Sequence, residues 1–270
     1  MIDFKPEAVF LDMDGTFLDL PKKPERISET NVLKAKEWND NNRPVILSTG
    51  RSNSEFVMAL ANKINSPYVI CQNGGIVVDR NNNVIRKCEI KKDTVIKIVE
   101  ILKKNKMIFI FNSGDTGYAH GLKFKFVRSW FKRLNWKTYD EIQKLGNCTK
   151  ILTFGTSKKN ILKLRDELAA AFSNLSLHVV SKGYSIEIND INATKGIAEK
   201  FVCDVMNIDP KKAVHFGDSG NDTVTIPYVG AFIAMKNSMK NVKQQAKMIT
   251  YSFKKAGVAK TLSEFEKIQN

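Results

Sequence analysis

Three short and almost wholly apolar runs follow one another near the start of the chain, and they limit the folds it can adopt. They are AVFLDM (8–13), PVILST (44–49) and PYVICQ (67–72). Continuous apolar runs of this length are typical of strands that are covered on both faces, as in a parallel sheet. The segments between them have helical spacing, as in SETNVLKAKEWNDNN (28–42). Strands that alternate with helices in this way predict an α/β fold with a doubly wound parallel sheet.

The pattern changes after NGG (73–75), where apolar strand pieces alternate with basic helical segments. The strand pieces are VIRKCEI, MIFIFNS, KILTFG, SLHVVS and YSIEIN, and we expect helices near 93–105, 124–134 and 158–173. The doubly wound pattern then returns with a helix at 194–206, strands at 213–218 and 232–235, and a helix at 237–247. We therefore predict a core made of residues 1–83 and 188–270, with an inserted α+β domain at 84–187.

Composition indicates an ordinary globular protein, and the lack of targeting or membrane segments leads us to expect it in the cytoplasm. Of the 270 residues, 43% are hydrophobic and 26% are charged, which is enough apolar material for a packed core. The N-terminus lacks the apolar stretch of a secretory leader, and we find no run of 18 or more apolar residues that would predict a membrane span. The four cysteines lie far apart without a CxxC pair, so we interpret Cys71, Cys88, Cys148 and Cys203 as small apolar residues.

The net charge of +15 leaves several kinds of anionic partner open. The segment GLKFKFVRSWFKRLNWK (121–137) has six Lys or Arg, five aromatic residues and no acid, as a nucleic-acid-binding surface would. Phe124, Val127, Phe131 and Leu134 also fall at helical spacing, however. An amphipathic helix is the simpler account of this segment, and nucleic acid is the less favoured partner.

The polar residues that could carry chemistry lie where the predicted strands end. In an open parallel sheet, ligands bind outside the carboxyl ends of the strands. The first strand ends at Asp12 and Asp14, the second at Thr49 and Gly50, and a later one, AVHFG (213–217), precedes Asp218, Asn221 and Asp222. We expect these side chains to share one edge of the sheet.

These residue types suit phosphate chemistry assisted by a metal ion. Asp12 and Asp14 are two residues apart, so on an extended backbone their carboxylates point the same way. Oxygen ligands such as those of Asp218 and its neighbours are the ones that Mg²⁺ prefers. Lys195 begins a helix, where the helix dipole disfavours a cation unless an anion is bound nearby. The three histidines, His120, His178 and His215, form no evident acid/base pair, and we expect structural roles for them.

Four segments together resemble the haloacid dehalogenase superfamily, and specifically its Cof-type phosphatases with the larger, type IIB cap. The segments are DMDGT (12–16), STGRS (48–52), NATKG (192–196) and GDSGND (217–222). The resemblance runs through most of the chain, and it makes the inserted α+β domain the cap that selects the substrate. The cap sequence matches only as a pattern, so the natural substrate is not predicted, nor is the oligomeric state.

The resemblance also implies a role for each residue of these segments. Asp12 would be the nucleophile and Asp14 the general acid and base, with Mg²⁺ held by Asp12, Asp218 and the backbone carbonyl of Asp14. Asp222 would orient Lys195 or the water shell of the metal. The implied contacts to phosphate or substrate are Met13, Thr49, Gly50, Lys195 and Asn221. Two positions depart from the family pattern, because Lys236 stands where Gly is usual and Thr225 where Met is usual.

The expected function is that of a Mg²⁺-dependent phosphatase, a phosphoric monoester hydrolase. Its substrates would be small phosphorylated metabolites such as sugar phosphates, and it would act through an aspartyl-phosphate on Asp12. A phosphomutase is the first alternative, although the large cap argues against it. A basic nucleic-acid-binding protein is the second.

Overall fold

The chain divides into two units. The computed structural model of the chain describes residues 2–112, 114–132 and 134–268. One unit comprises Met1–Arg86 and Thr194–Asn270, and the other comprises Lys87–Ala193. The sequence pattern placed the end of the insertion at residue 187, within a strand whose pairing in the second unit continues to Asp190. The catalytic and cap roles of the two parts stay predictions.

Helices and strands alternate along most of the chain. In chain order the strands are β1 (Ala8–Leu11), β2 (Val45–Ser48), β3 (Tyr68–Cys71), β4 (Ile76–Asp79), β5 (Val84–Lys87), β6 (Ile108–Phe111), β7 (Thr116–Ala119), β8 (Asn135–Thr138), β9 (Ile151–Phe154), β10 (Leu175–Val180), β11 (Ser185–Asp190), β12 (Ala213–Gly217), β13 (Ala231–Ala234) and β14 (Met248–Ile249). The helices are α1 (Glu29–Asp40), α2 (Glu55–Lys63), α3 (Lys92–Lys104), α4 (Gly121–Trp130), α5 (Lys158–Ala171), α6 (Lys195–Val205), α7 (Gly220–Thr223), α8 (Lys240–Lys243) and α9 (Gly257–Phe265). None of those helices combines the length and the apolar character needed to cross a bilayer, over the residues described.

The first unit is built on an eight-stranded sheet with the order β14-β13-β12-β1-β2-β3-β4-β5. From β14 to β3 all neighbouring strands are parallel, and β4 runs antiparallel to β3. The chain proceeds from β1 in one direction and later returns to β12 on the other side of β1. The junction of β1 and β12 is therefore the switch point of a doubly wound sheet, the place where such sheets bind ligands. The predicted α/β fold class is confirmed.

Alternate residues of the central strands contribute to hydrophobic clusters on opposite faces of this sheet. Val9 and Leu11 of β1 pack with apolar residues of α1, α2 and α9. Ala8 and Phe10 pack with apolar residues of α6. Because both faces are covered, the strands are buried throughout, which explains why their sequences are continuously apolar.

The second unit is α+β, with a six-stranded sheet in the order β10-β11-β9-β6-β7-β8. Neighbouring strands are antiparallel except for β7 and β8. Apolar residues of α3 and α5 form a cluster with Phe109 of β6, whereas α4 contributes Val127 to a second cluster with Ile108 and Ile110. Since neighbouring residues of a strand point to opposite faces, the helices cover both faces of this sheet.

Some predicted elements are shorter than expected. The helix predicted at 124–134 begins earlier and ends at Trp130, and Arg133 within it lies outside the described residues. Val127 is buried, as expected for an amphipathic helix, but Phe131 follows the helix and is 48% exposed. The helix predicted at 237–247 is reduced to the single turn of α8, because the chain must extend again to pair β14 with β13. The sequence pattern did not separate out the short strands β4, β7 and β8.

Candidate active site

The candidate site lies at the switch point, where β1 and β12 end side by side. Leu11 is paired with Phe216 in the ladder, and the backbone N–H of Asp12 donates to the Phe216 carbonyl over 2.9 Å. This register brings the loop after β1 next to the loop after β12. Carboxylate oxygens of Asp12, Asp218 and Asp222 consequently lie within 4.8 Å of one another.

Lys195, the first residue of α6, connects two of these carboxylates. Its side chain is fully buried, and Nζ donates to Asp12 Oδ1 over 2.7 Å and to Asp222 Oδ1 over 2.6 Å. Burial alone would lower the pKa of Lys195, but the charges and hydrogen bonds of Asp12 and Asp222 outweigh burial and raise it. From the sequence we expect a bound anion to balance this cation at the helix N-terminus. The two carboxylates already supply the negative charge.

Asp222 is buried and accepts hydrogen bonds on both oxygens. Oδ2 accepts the backbone N–H groups of Asp218 and Ser219, each over 2.9 Å. Although burial works to raise the pKa of Asp222, Lys195 and His215 lower it. Gly217 makes this packing possible, because a Cβ there would lie 2.3 Å from Asp222 Cγ.

Asp12 and Asp218 are the two members of the cluster whose pKa is raised. Burial raises the pKa of Asp12 to about 6, with Lys195 opposing the rise. Burial, together with the charges of Asp12 and Asp222, raises the pKa of Asp218 to about 7. Carboxylates gathered at this spacing, with ionisation disfavoured, are a donor set that fits a hard divalent cation such as Mg²⁺. Since both oxygens of Asp222 already accept hydrogen bonds, Asp12 and Asp218 are the better candidates for direct ligands.

Asp14 is half exposed and is held by arginines instead. Arg51 makes a bidentate contact, with Nε 2.6 Å from Asp14 Oδ2 and Nη2 2.7 Å from Oδ1, and Arg26 Nη2 lies 3.3 Å from Oδ1. Burial would raise the pKa of Asp14, but the contacts with Arg51 and Arg26 lower it. The pKa shifts of Asp14 and Asp12 therefore have opposite directions.

The predicted phosphate contacts from the other strand ends form a connected group. Thr49 is buried, its Oγ1 accepts the backbone N–H of Arg51 over 3.2 Å, and its carbonyl accepts the N–H of Asn73 over 3.0 Å. The side chain of Asn221 donates to Asn73 Oδ1 over 3.0 Å. A Cβ at Gly50 would lie 3.0 Å from that same oxygen, so Gly50 leaves room for the Asn73 side chain.

Three other singled-out residues have different surroundings. The side chain of Met13 is buried in the main hydrophobic cluster, so a contact from Met13 to phosphate would have to come from its backbone. Thr225 is buried, and its hydroxyl donates to the Asp222 carbonyl over 2.7 Å. Lys236 is exposed, and its backbone N–H donates to the Tyr251 carbonyl.

Sequence reasoning missed two buried residues behind Asp222. His215 Nε2 lies 3.2 Å from Asp222 Oδ1, and His215 Nδ1 lies 2.7 Å from Glu199 Oε1, which also accepts the hydroxyl of Ser48 over 2.7 Å. Burial would lower the pKa of His215, but Glu199 and Asp222 raise it to about 9. The available signals were a histidine inside an apolar strand and an acid one helical turn after Lys195 on the buried face of α6.

Comparison with known proteins identifies the family. Residues 9–262 match the haloacid dehalogenase-like hydrolase family. A putative phosphatase of Haemophilus influenzae is 24% identical, with 96% of this chain and 97% of that protein covered, and a phosphoglycolate phosphatase of Archaeoglobus fulgidus is 26% identical, with 96% of each covered. A subclass IIB sugar phosphatase has a similar structure, with a TM-score of 0.78, 17% identity, and coverage of 96% of this chain and 99% of that one. The chain therefore belongs to the haloacid dehalogenase-like hydrolases, and its resemblance to the Cof-type members of that superfamily is confirmed.

Proposed function

We propose that this hydrolase is a Mg²⁺-dependent phosphatase that cleaves small phosphate monoesters through an aspartyl-phosphate on Asp12. The observation that carries the proposal is the placement of Asp12 at the switch point. One oxygen of its carboxylate accepts Lys195 over 2.7 Å, and the carboxylate lies within 4.8 Å of two other acids. A carboxylate next to a buried cation and a candidate metal site is suited to attack a phosphoryl group.

In the first step a carboxylate oxygen of Asp12 forms a bond to phosphorus, and the bond from phosphorus to the ester oxygen breaks. The leaving alkoxide takes a proton from the carboxylic acid of Asp14. Lys195 stabilises the negative charge on the transferring group, and Thr49 and Asn221 orient that group. The contact with Arg51 lowers the pKa of Asp14, so breaking that contact would favour the protonated form that acts as the acid.

In the second step water hydrolyses the aspartyl-phosphate. The carboxylate of Asp14 takes a proton from water, the water oxygen bonds to phosphorus, and the bond from phosphorus to Asp12 breaks. Inorganic phosphate and the free carboxylate of Asp12 result. The same residue thus serves as acid in one step and as base in the next.

Asp12, Asp218 and the backbone carbonyl of Asp14 would hold the Mg²⁺ ion. When bound, the ion supplies positive charge to the phosphate oxygens and helps to align the phosphorus with the nucleophile. The donor set favours a hard divalent cation such as Mg²⁺ because it is made of oxygens alone.

The substrate class is the least constrained part of the proposal. Relatives named as a phosphoglycolate phosphatase and a sugar phosphatase support small phosphorylated metabolites. A panel of phosphoglycolate, sugar phosphates, nucleotides, flavin mononucleotide and pyridoxal phosphate, followed by measurement of released phosphate, would identify the preferred class. Release of phosphate from none of these and from no aryl phosphate would contradict the phosphatase assignment.

Rapid-quench labelling with a radiolabelled aryl phosphate, followed by peptide mapping, tests the nucleophile. We expect label on Asp12, no label in Asp12→Asn, and slow turnover with retained labelling in Asp14→Asn, because a good leaving group needs little protonation. Label on another residue would overturn the mechanism.

EDTA should abolish turnover and added Mg²⁺ should restore it, whereas turnover that persists in EDTA would exclude the metal requirement.

A further inference from the structure

We propose that Glu199 and His215 are positioning residues that hold the carboxylate of Asp222, and through it the ammonium group of Lys195. Their effect on the rate rests on the proposed phosphatase function. Their effect on the orientation of Asp222 does not.

A continuous line of buried polar contacts carries the inference. It runs from the hydroxyl of Ser48 on β2 to Glu199 on α6, then to the ring of His215 on β12, Asp222, Lys195 and Asp12. The successive distances are 2.7, 2.7, 3.2, 2.6 and 2.7 Å. Five of these six side chains are fully buried and the carboxylate of Asp12 is nearly so. Hydrogen bonds in such surroundings are strong and are costly to leave unmade.

Packing leaves the ring of His215 little freedom. His215 lies on the central strand β12, paired with Phe10 on one side and Phe232 on the other, and its ring stacks on Phe232 with centroids 6.0 Å apart. Each ring nitrogen faces a carboxylate oxygen, so the ring connects Glu199 to Asp222. Glu199 also follows Lys195 by one turn of α6, so the same helix carries both the lysine and the carboxylate that contacts the ring of His215.

The arrangement matters for Lys195 because Asp222 Oδ1 accepts from both Lys195 and His215. Because the ring of His215 also contacts this oxygen, the attraction between Asp222 and the ammonium group of Lys195 is weaker. The ammonium group can then interact more strongly with Asp12 and with a bound phosphate. Without the ring, Lys195 would be the only side-chain cation on Asp222 among the described contacts, and we expect it to move toward Asp222 and away from Asp12. A group that acts in this way changes the rate without touching the substrate.

The test replaces both ends of the Glu199–His215 pair at once, so that no unpaired charge stays buried between them. Replacement of a buried ion pair by apolar residues of similar size often leaves stability unchanged. The double variant Glu199→Leu/His215→Leu should therefore melt close to the wild type. Its kcat for an aryl phosphate should fall about 10- to 100-fold with little change in KM, as is typical when the outer support of a site is lost.

Matched variants separate positioning from stability. Glu199→Gln keeps an acceptor for the ring, so its kcat should lie between those of the wild type and the double variant. Thr261→Val removes a buried hydroxyl bonded to the Gly257 carbonyl in the same unit, and it should lower the melting temperature without lowering kcat. A double variant that folds and keeps the wild-type kcat overturns the proposal. If the double variant does not fold, the kcat of His215→Gln is measured instead. One amide nitrogen cannot reach both carboxylates as the two ring nitrogens do, so kcat should fall. An unchanged kcat would overturn the proposal.

Crystal structures of the wild type and the double variant provide a readout that does not depend on activity. We expect the Asp222 carboxylate to rotate and the separation of Lys195 Nζ from Asp12 Oδ1 to lengthen from 2.7 Å. An unmoved Asp222 would refute the positioning role. If the wild-type protein released phosphate from no substrate, the proposed function would fail, while the position of Asp222 would still decide this inference.

Discussion

At the residue scale, Gly15 is the position where a single methyl group should disturb the candidate metal site most directly. Gly15 has φ +85°, and a Cβ there would lie 2.3 Å from Asp218 Oδ2. We expect Gly15→Ala to strain the backbone by about 1–3 kcal/mol and to displace Asp218. Phosphatase activity should then fall by roughly tenfold or more, since about 1.4 kcal/mol of lost transition-state stabilisation has that effect.

Gly220→Ala is the matched control for this prediction, because a Cβ at Gly220 has no atom within 4 Å. Titration calorimetry with Mg²⁺ and turnover of an aryl phosphate should both be impaired in Gly15→Ala and nearly normal in Gly220→Ala. Equal Mg²⁺ affinity in the two variants would show that Asp218 does not depend on the space at residue 15.

A second prediction concerns the ionisation of Asp14. Arg51 lowers the pKa of this carboxyl against the opposing effect of burial, so Asp14 stays ionised to lower pH than usual. Arg51→Gln removes the bidentate contact, so the pKa of Asp14 should rise. Asp14 should then become protonated at a higher pH than in the wild type. Titration of the Asp14 carboxyl carbon by NMR in metal-free protein measures the shift. Arg43→Gln is the control, because Arg43 lies over the ring of Trp38 and makes no described contact with Asp14, and it should leave the titration of Asp14 unchanged.

The residues of the site were only partly predictable from the sequence. Asp12, Asp14, Thr49, Asp218 and Asp222 stand at strand ends or just after them, where topology alone brings them to one sheet edge. His215 is a single polar residue in an apolar strand and Glu199 is one of several charged residues in a helical segment, so their contact depends on how α6 packs against β12. The arginine contacts of Asp14 depend on side-chain conformations that no periodicity encodes.

At the scale of single elements, the start of α1 offers a test of capping. Ser28 accepts the backbone N–H of Asn31 over 3.3 Å, and its hydroxyl donates to Asp19 over 2.6 Å. We expect Ser28→Ala to lower the free energy of unfolding by about 0.5–2 kcal/mol, the usual cost of losing such a cap. Ser54, the N-cap residue of α2, makes no capping hydrogen bond, so Ser54→Ala should lower the free energy of unfolding clearly less. Denaturant unfolding measures both, and equal losses would rule out the cap as the cause.

Element prediction succeeded where periodicity was long and failed where pairing decided the outcome. The helices α1, α3 and α5 lie within one or two residues of the predicted bounds, because an apolar stripe runs along each of them. The strands β7 and β8 exist because they pair with each other, and Gly117 of β7 leaves room for the ring of Trp136 on β8. Such pairing partners are distant in sequence, so a single run of residues does not reveal them.

At the scale of the whole molecule, each unit has hydrophobic clusters of its own. In the described parts of the chain, every such cluster takes all its members from one unit. Separate cores are what allow parts of a chain to fold independently. Arg86 and Thr194, the two residues of the first unit that flank the second unit in the sequence, both lie beside Gly74. Arg86 Nη1 donates to the Gly74 carbonyl over 2.8 Å, and a Cβ on Gly74 would lie 2.2 Å from the Thr194 carbonyl oxygen.

The final prediction follows from that independence. Replacing Lys87–Ala193 by a flexible linker of about six Gly and Ser residues should leave the first unit folded, because a chain of this length spans a short gap. The shortened protein retains Asp12, Lys195, Asp218 and Asp222, so it should still hydrolyse an aryl phosphate in the presence of Mg²⁺. Its preference among metabolite phosphates should change much more than its aryl phosphatase activity, because we predict that the second unit selects the substrate. The same substrate panel, run on the full chain and the shortened chain, measures both effects. An unchanged order of preference would place selectivity in the loops of the first unit.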